Sequence, residues 1–355
     1  MAQGTLWSGP LSSIRIQNFR RFADLEIPRL GLVNLLVGRN GTGKSSFLEA
    51  VRLLMSDPAL GVHRDISDRR DDGFAETLLE DYSALEGLRR RGSSTEDEFR
   101  ISAGERFVTG GLLDFQRVRD EGGGYHYEPL PLRTSAENVE LVFELTGPGW
   151  SRRYSDDETR KTKGQLDSVR GSCVFIGTGG LSRAEVSYLW SKVALTEMED
   201  GINRSMQKSF PEVERIAIVP GNNESSVLAK VRGVAAPLAL KNLGEGATRF
   251  FGLALAAAKA RNCVLLVDEV EIGLHYSNQI ALWRLLVQMA LDFQVQIFAT
   301  THSEDAIRAF SIATKENEAV DGRLIRLQSR GGEIEAVEFD EEELVGAREA
   351  GSEIR

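Results

Sequence analysis

Apolar and polar positions along the chain predict strands that alternate with helices. Two N-terminal segments show the two-residue alternation of half-buried strands: Ser13–Phe22 and Ala23–Ile27. Mostly apolar runs predict buried strands at Leu32–Val37, Asn262–Val267 and Val295–Thr300. Helical spacing predicts helices at Ser45–Leu54, Ser182–Met206, the later part of Leu240–Ala260, Tyr276–Ala290 and Asp305–Ala313. This alternation indicates an α/β fold with a mostly parallel sheet covered on both faces.

Shorter patterns predict further strands. Single strands are expected at Val139–Leu145 and Ser172–Ile176, and paired strands at Ile216–Val219 and Val227–Val231. A hairpin is expected where Leu324–Leu327 and Ile334–Phe339 flank residues 330–332, and a short acidic helix at the end of the chain. Residues 57–135 are polar and rich in glycine, so we expect an inserted, partly mobile region of loops and short elements.

A complete G-x-x-x-x-G-K-S phosphate loop lies between the strand at Leu32–Val37 and the helix that follows it. It consists of Gly38, Arg39, Asn40, Gly41, Thr42, Gly43, Lys44, Ser45 and Ser46. Its glycines let backbone N–H groups face a triphosphate, and the following helix adds the positive end of its dipole. Lys44 is suited to the β- and γ-phosphates of ATP, and the Ser45 hydroxyl to Mg²⁺. The alternative is a glycine-rich turn that only precedes a helix.

Two acids follow the buried strand Val264–Val267. Asp268 comes at the carboxyl end of that strand, where ligands of open α/β sheets bind, and can hold Mg²⁺ directly or through water. Glu269 is one residue further on and can orient or deprotonate the attacking water, which makes it the candidate general base. The alternative is a strand that ends in two surface acids.

A histidine and a second glycine pair complete the candidate chemistry. His302 follows the strand Val295–Thr300 and can contact the γ-phosphate or its water, while Ser303 can act as a helix cap beside it. Gly244, Glu245 and Gly246 precede a helix and can bind an anion at its N-terminus, or form a tight turn.

Composition limits the class of protein. Of 355 residues, 41% are hydrophobic and 27% charged, no apolar run reaches membrane-spanning length, and the net charge is −10. The charge disfavours a uniformly basic nucleic-acid surface, and local clusters such as Arg89–Arg91 and Arg152–Arg153 suit solvated loops better than DNA contacts. Two cysteines and four histidines in no ligand spacing argue against zinc. The cytoplasm is the expected compartment.

The order of phosphate loop, Gly-Glu-Gly segment, Asp-Glu strand and Thr-His-Ser segment resembles ABC-type ATPase heads. The segments Ile16–Phe22 (IQNFRRF) and Glu271–Tyr276 (EIGLHY) are most similar to the RecF/SMC-related group, which includes the OLD (overcoming lysogenization defect) phage-exclusion ATPases. The closing residues Glu353–Arg355 also resemble single-domain members of that group. The resemblance covers residues 13–55 and 185–355. It implies a P-loop NTPase with an ABC-ATPase-like head: a mostly parallel sheet, an antiparallel β subsheet and a helical signature lobe at 182–260, all in one domain over 1–355.

The resemblance also implies roles for single residues. Lys44 and the loop amides would hold phosphates, Ser45 and Asp268 would hold Mg²⁺, Glu269 would be the base and His302 the γ-phosphate sensor. The segment Gly244–Gly246 would act on ATP bound to a partner copy, and Arg20 would approach the base or ribose. This chain departs from the pattern at Ile272, where the group has Asn, and Gln116 is only a weak match for the ABC Gln-loop. Residues after Thr314 are too few for a Toprim nuclease.

The function that follows from the resemblance is a Mg²⁺-dependent ATPase that forms a homodimer or higher homo-oligomer around ATP. A role in phage defence with a separate nuclease or toxin as effector is implied, and no membrane is involved. DNA stays open as a partner, because a RecF-like repair ATPase is one alternative. An ATP-locked scaffold with little turnover is another. A transporter ATPase is a third, but the Gly-Glu-Gly signature and the missing Gln-loop fit it poorly.

Overall fold

A computed structural model describes residues 9–56, 98–119, 125–129, 139–154, 173–219 and 225–339 of the chain. Within these ranges the chain forms three β-sheets and six α-helices. The acidic helix expected at the end of the chain lies outside the described residues, as do the clusters at 89–91 and 160–163.

A six-stranded sheet is the central layer. Its strands, in spatial order, are β16 (Glu333–Phe339), β15 (Gly322–Arg330), β3 (Val33–Val37), β14 (Gln296–Thr300), β13 (Val264–Val267) and β9 (Val174–Ile176). Neighbours run parallel except β15 and β16, which form the predicted hairpin. Every residue of β3, β13 and β14 is buried, including the polar Asn34 and Gln296. The carboxyl ends of these parallel strands meet at one edge of the sheet, which positions the site.

An antiparallel sheet of seven strands forms a second layer. Its strands are β1 (Ile14–Phe19), β2 (Phe22–Ile27), β4 (Phe99–Ala103), β5 (Arg106–Arg119), β6 (Tyr125–Pro129), β7 (Val139–Gly147) and β8 (Trp150–Tyr154). They pair in the order β2-β1-β4-β5-β7-β8, with β6 also on β5. The expectation of loops and short elements is therefore wrong for β5, which is 14 residues long and pairs with three other strands. Residues 57–97, 120–124 and 130–138 of the same segment lie outside the described residues.

Six helices and a small third sheet complete the described fold. The helices are α1 (Lys44–Met55), α2 (Arg183–Val193), α3 (Glu197–Ser209), α4 (Glu245–Lys259), α5 (Gln279–Asp292) and α6 (Glu304–Lys315). The third sheet contains β10 (Val213–Val219), β11 (Ser226–Val231) and β12 (Leu238–Ala239), of which the first two form the predicted pair. Short 3₁₀ turns at Leu240–Leu243 and Tyr276–Asn278 precede α4 and α5.

The single helix predicted over residues 182–206 is wrong, because the chain forms α2 and α3 there. The break lies at Leu195, whose φ of 60° is left-handed and cannot continue a helix. The Thr196 side chain then caps α3 by accepting a hydrogen bond from Met198 N. Ser182 and Glu185 form a capping box at the start of α2.

The hydrophobic core has two parts, one on each face of the central sheet. On one face, Leu35 and Leu265 pack in a cluster that includes Phe250 of α4 and Trp283 of α5. On the other face, α1 lies between the central and antiparallel sheets, and its Phe47 belongs to a cluster with side chains of both. Each such large side chain contributes about 1.5–3 kcal/mol when fully buried. Among the described helices, none combines the length and apolar character needed to cross a bilayer.

Candidate functional site

The phosphate loop connects β3 to α1 and is held by glycines. Gly38, Gly41 and Gly43 have φ values of 145°, 78° and 95°, which side chains rarely adopt. A Cβ at Gly38 would lie 2.3 Å from the Leu327 carbonyl oxygen, and one at Gly43 would lie 2.8 Å from the Phe22 ring. The close approach of β15 and β2 to the loop therefore requires glycine at both positions.

Lys44, the first residue of α1, is buried beneath the loop. Its Nζ donates hydrogen bonds to the carbonyl oxygens of Gly38 at 2.7 Å and Arg39 at 3.1 Å. Burial lowers the pKa of Lys44, and the nearby charges of Asp268, Glu269 and Glu271 oppose that shift without cancelling it. The ammonium therefore lies against the backbone of the loop and within the electrostatic influence of three carboxylates.

Ser45 and Asp268 bring two oxygen ligands together from distant parts of the chain. Ser45 Oγ donates a hydrogen bond to Asp268 Oδ1 at 3.3 Å, although 223 residues separate them. A hydroxyl and a carboxylate suit Mg²⁺, which usually keeps several waters and binds substrate phosphates. The described residues contain no group of three or more His, Cys, Asp or Glu side chains that could hold a metal on their own. The donor set fits an ion that is shared with a nucleotide.

Thr300, at the end of β14, holds both acids of the Asp-Glu pair. Its hydroxyl donates to Asp268 Oδ1 at 2.6 Å and accepts from Glu269 N at 2.8 Å. Glu269 has a left-handed φ of 45°, a conformation that costs energy and needs such support. The sequence pattern places Thr300 only at the end of a strand. Its position next to a parallel strand that is followed by Asp268 is the signal that could predict this contact.

Glu269 and His302 face the same space. Glu269 Oε1 lies 3.7 Å from His302 Nε2, and each side chain is about one-third exposed. Glu271 Oε1 accepts a hydrogen bond from His302 N at 2.9 Å. Ser303 caps α6 by accepting from Ala306 N, so the histidine is held between a capped helix and a carboxylate.

A cavity of about 700 Å³ brings most of the predicted residues together. Its lining includes Asn40, Gly41, Gly43, Lys44, Ser45, Ser46, Asp268, Glu269 and His302. Gly38, Arg39 and Thr42 shape the loop from outside this lining: the Thr42 hydroxyl donates to Arg39 O at 2.9 Å. An oxygen-rich, lysine-containing cavity of this size at the N-terminus of a helix can accommodate a nucleoside triphosphate.

Arg20, which is expected near the base or ribose, is not among the residues that line the cavity. Its Nε lies 3.2 Å from Glu49 Oε2, and both side chains are less than one-tenth exposed. The next residue, Arg21, lines the cavity instead. Arg20 lies in the turn between β1 and β2 and has a left-handed φ of 53°.

Several cavity residues were missed by sequence reasoning. Residues 177–180 (GTGG) follow β9 and form one wall, and a glycine-rich segment after a predicted buried strand was the available signal. Glu49 and Arg52 lie one and two turns along α1 from Ser45, and Arg52 stacks over the Phe175 ring at 5.1 Å. Gln116, the weak Gln-loop candidate, belongs to β5.

The segment Gly244–Gly246 lies at the start of α4 and does not line this cavity. Glu245 lines a second cavity of about 440 Å³ together with Arg249, Ile272 and Gly273. Residues 178–180 line both cavities and separate them. Within one chain, the glycine segment and the phosphate loop therefore belong to different cavities.

Comparison with known proteins identifies related sequences over most of the chain. The profile of the AAA ATPase domain matches residues 10–87 and 190–307. An ATP/GTP phosphatase of Helicobacter pylori is 21% identical in an alignment of length 345 that covers 87% of this chain and 89% of that protein. An OLD nuclease of Thermus scotoductus is 26% identical in an alignment of length 331 that covers 82% of this chain and 59% of the nuclease. A DNA replication and repair protein RecF of Bacillus cytotoxicus is 32% identical over 149 residues, 42% of this chain and 36% of RecF.

A solved structure has the same fold. It is the SMC head bound to the C-terminal winged-helix domain of ScpA, with a TM-score of 0.52, 14% identity, and coverage of 94% of this chain and 99% of that chain. The α/β head with a mostly parallel sheet, an antiparallel subsheet and a helical lobe, which the sequence predicts, is confirmed.

Proposed function

This chain belongs to the AAA ATPase domain family, and we propose that it hydrolyses ATP between two copies that meet head to tail. ATP hydrolysis follows from the family and from the similarity to the ATP/GTP phosphatase of Helicobacter pylori. The observation that carries the head-to-tail arrangement is the separation of Gly244–Gly246 from the chain's own phosphate loop. Gly244 and Glu245 are exposed, which leaves that segment accessible to ATP held by a partner copy.

In this proposal five of the residues that line the cavity have assigned roles. Lys44 neutralises charge on the β- and γ-phosphates, and Ser45 and Asp268 hold Mg²⁺, which when bound neutralises further phosphate charge. Glu269 accepts the proton of the attacking water, since a carboxylate one residue past the metal ligand reaches into the cavity. His302 donates a hydrogen bond toward the γ-phosphate.

Dimer formation is tested with Glu269→Gln, which keeps the shape of the side chain but removes the base. With ATP and Mg²⁺ this variant is expected to accumulate as a dimer, measured by gel filtration with light scattering. The double variant Lys44→Ala with Glu269→Gln is the matched control and is expected to stay monomeric. A monomer of Glu269→Gln under saturating ATP contradicts the proposal.

Sharing of each site between two copies is tested by complementation. Gly246→Asp places a negative charge at the N-terminus of α4, where it suits the helix but repels a phosphate. A Cβ at Gly246 meets only ordinary contacts at 3.6 Å, so Gly246→Ser serves as the matched control. Gly246→Asp and Lys44→Ala are each expected to be inactive, and their mixture is expected to regain measurable activity, because one mixed site then contains neither change. A mixture that stays inactive rejects the shared site.

We further propose that ATP-driven closing and opening controls a separate effector, a nuclease or toxin, in defence against phage. Support comes from the similarity to the OLD nuclease, of which this chain spans 59%. Cells that carry the gene with its neighbours are expected to survive phage infection better than cells with Lys44→Ala. Equal survival with both contradicts the defence role. Survival with Glu269→Gln equal to the unmodified chain points instead to the ATP-locked scaffold.

A DNA-binding repair role is the second candidate, because RecF proteins match 42% of this chain. It predicts that DNA stimulates ATP hydrolysis and that neutralising Arg152, Arg153, Arg160 and Lys161 abolishes the stimulation. Hydrolysis that is unaffected by DNA favours the defence role.

A further inference from the structure

Glu271, in the turn after β13, fixes the backbone next to the cavity. Its Oε1 accepts the hydrogen bond from His302 N at 2.9 Å. The His302 ring nitrogen Nε2 in turn lies 3.7 Å from Glu269 Oε1. Glu271 therefore holds the backbone from which the His302 ring extends toward Glu269.

Glu271 and Arg249 both have unmet hydrogen-bonding capacity. Among the described residues, the buried Glu271 Oε2 has no hydrogen-bond partner, and neither have the buried Nε and Nη2 of Arg249. Burial lowers the pKa of Arg249, and the negative charge of Glu271 opposes that shift. Buried charged donors and acceptors are destabilising until they are paired. A movement that brings these two side chains into contact is therefore favourable, because it pairs both charges.

Arg249 has space for such a movement. It lies in the second turn of α4, and its Nη1 is 3.3 Å from the point that a Cβ at Gly180 would occupy. Gly180 lines both cavities, and Arg249 lines the second one. The guanidinium is thus next to the wall that separates the two cavities, beside open volume on the α4 side.

We propose that Arg249 and Glu271 form a positioning pair that transmits the location of α4 to His302 of the same chain. The inference rests on the proposed function, in which ATP held by the partner contacts Gly244–Gly246 at the start of α4. That contact moves α4, closes the Arg249–Glu271 pair and orients His302 toward the ATP in its own site. The two sites of a dimer are then coupled, and turnover depends cooperatively on ATP concentration.

The test removes each charge while keeping side-chain volume. Arg249→Met and Glu271→Gln are each expected to lower kcat by no more than the about 100-fold loss expected for His302→Ala, and to lower the Hill coefficient for ATP below that of the unmodified chain. The dissociation constant for ATP of the isolated chain is expected to stay unchanged. The double variant is expected to be no slower than either single variant, since both interrupt one connection. Arg249→Lys, which retains the charge, is expected to recover part of the cooperativity.

Controls separate this pair from a structural effect and from the proposed function. Arg261→Met changes an exposed arginine just beyond the other end of α4. It is expected to alter neither kcat nor the Hill coefficient for ATP. In the Glu269→Gln background, Arg249→Met is expected to form the ATP-bound dimer. If Glu269→Gln alone does not dimerise, the proposed function fails and this inference with it. If it dimerises but Arg249→Met keeps the normal Hill coefficient, only the positioning role is rejected. If Arg249→Met does not fold, an unchanged Hill coefficient in Glu271→Gln rejects it.

Discussion

The Thr300 hydroxyl donates a 2.6 Å hydrogen bond to Asp268 Oδ1. The same oxygen accepts from Glu269 N, so one buried hydroxyl at the end of β14 holds both acids at the end of β13. Ser45 Oγ reaches the same Asp268 oxygen from α1. Asp268, the metal-ligand candidate, is therefore held by hydroxyls from a strand and a helix.

Replacing Thr300 by Val keeps the branched shape but removes the hydroxyl. Because Asp268 loses a donor and Glu269 N loses an acceptor inside the protein, the free energy of unfolding is expected to fall by about 1–3 kcal/mol. Steady-state ATP turnover is expected to fall by about 10- to 100-fold, as for other residues that orient metal ligands. Thr300→Ser keeps the hydroxyl and is the matched control. Turnover of Thr300→Val equal to that of Thr300→Ser contradicts the role of this hydroxyl.

Gly38 and Gly41 provide a matched pair for testing the shape of the phosphate loop. Gly38 has a φ of 145° and a Cβ there would lie 2.3 Å from a backbone oxygen, whereas a Cβ at Gly41 meets nothing within 4 Å. Gly41→Ala is expected to lower the free energy of unfolding by about 1–2 kcal/mol from the left-handed backbone alone. Gly38→Ala is expected to lower it by more than about 3 kcal/mol, because clash is added to strain. Equal losses in urea unfolding contradict the packing of Leu327 against the loop.

The sequence predicts the centre of the fold because its signals there are local. The strands β3, β13 and β14 are short apolar runs in the printed sequence, and each is followed by residues of distinct chemistry. The rule that parallel strands end at one edge then predicts that Lys44, Asp268 and His302 lie together. The cavity lined by all three is consistent with that rule.

The antiparallel sheet and the break between α2 and α3 are less apparent from the sequence. The pattern for the sheet is weak, and the capping sequence at the break is short. Strand β5 contains Gly110 and Gly111, which interrupt its alternation, and it is stabilised by pairing with strands far along the chain. The break between α2 and α3 did have a local signal, the capping sequence Thr196-x-x-Glu199. The Arg20–Glu49 pair depends on how β1 packs against α1, which periodicity does not reveal.

The contribution of Glu199 to the stability of the break between α2 and α3 depends on pH. Burial on its own raises the pKa of Glu199, but hydrogen bonds from Leu195 N at 2.6 Å and Arg215 Nη2 at 2.8 Å lower it below its usual value. A carboxylate with a lowered pKa in the folded state stabilises the fold above its ordinary pKa of about 4.3 and loses that contribution as pH falls through the folded-state value.

Glu199→Gln is therefore expected to lower the free energy of unfolding by about 1–3 kcal/mol at pH 7. The difference from the unmodified chain is expected to shrink as pH falls below about 4.3. Urea unfolding at pH 7 and at pH 4 or lower measures both values. Glu316→Gln, which breaks the exposed pair with Arg284, is the control and is expected to cost less. A difference that stays constant with pH contradicts the role assigned to the ionised carboxylate.

Variants of Lys44 and His302 are expected to affect different properties: Lys44→Ala weakens ATP binding, whereas His302→Ala slows hydrolysis. Lys44→Ala removes a buried ammonium from the phosphate loop and is expected to weaken ATP binding by roughly 100-fold, measured by calorimetry. Lys315→Ala, at the far end of α6, is the control for loss of a positive charge.

His302→Ala should affect hydrolysis and not binding, because the His302 ring lies beside Glu269, the candidate base. ATP binding is expected to stay within about twofold of the unmodified chain, while turnover falls by about 100-fold, the usual loss for a donor aimed at developing charge. His302→Gln retains a side-chain donor and is expected to be faster than His302→Ala. Both quantities come from one titration series, with calorimetry for binding and phosphate release for turnover. Unchanged turnover in His302→Ala leaves the residue as part of the α6 N-terminus alone, and loss of binding would assign it to holding the nucleotide.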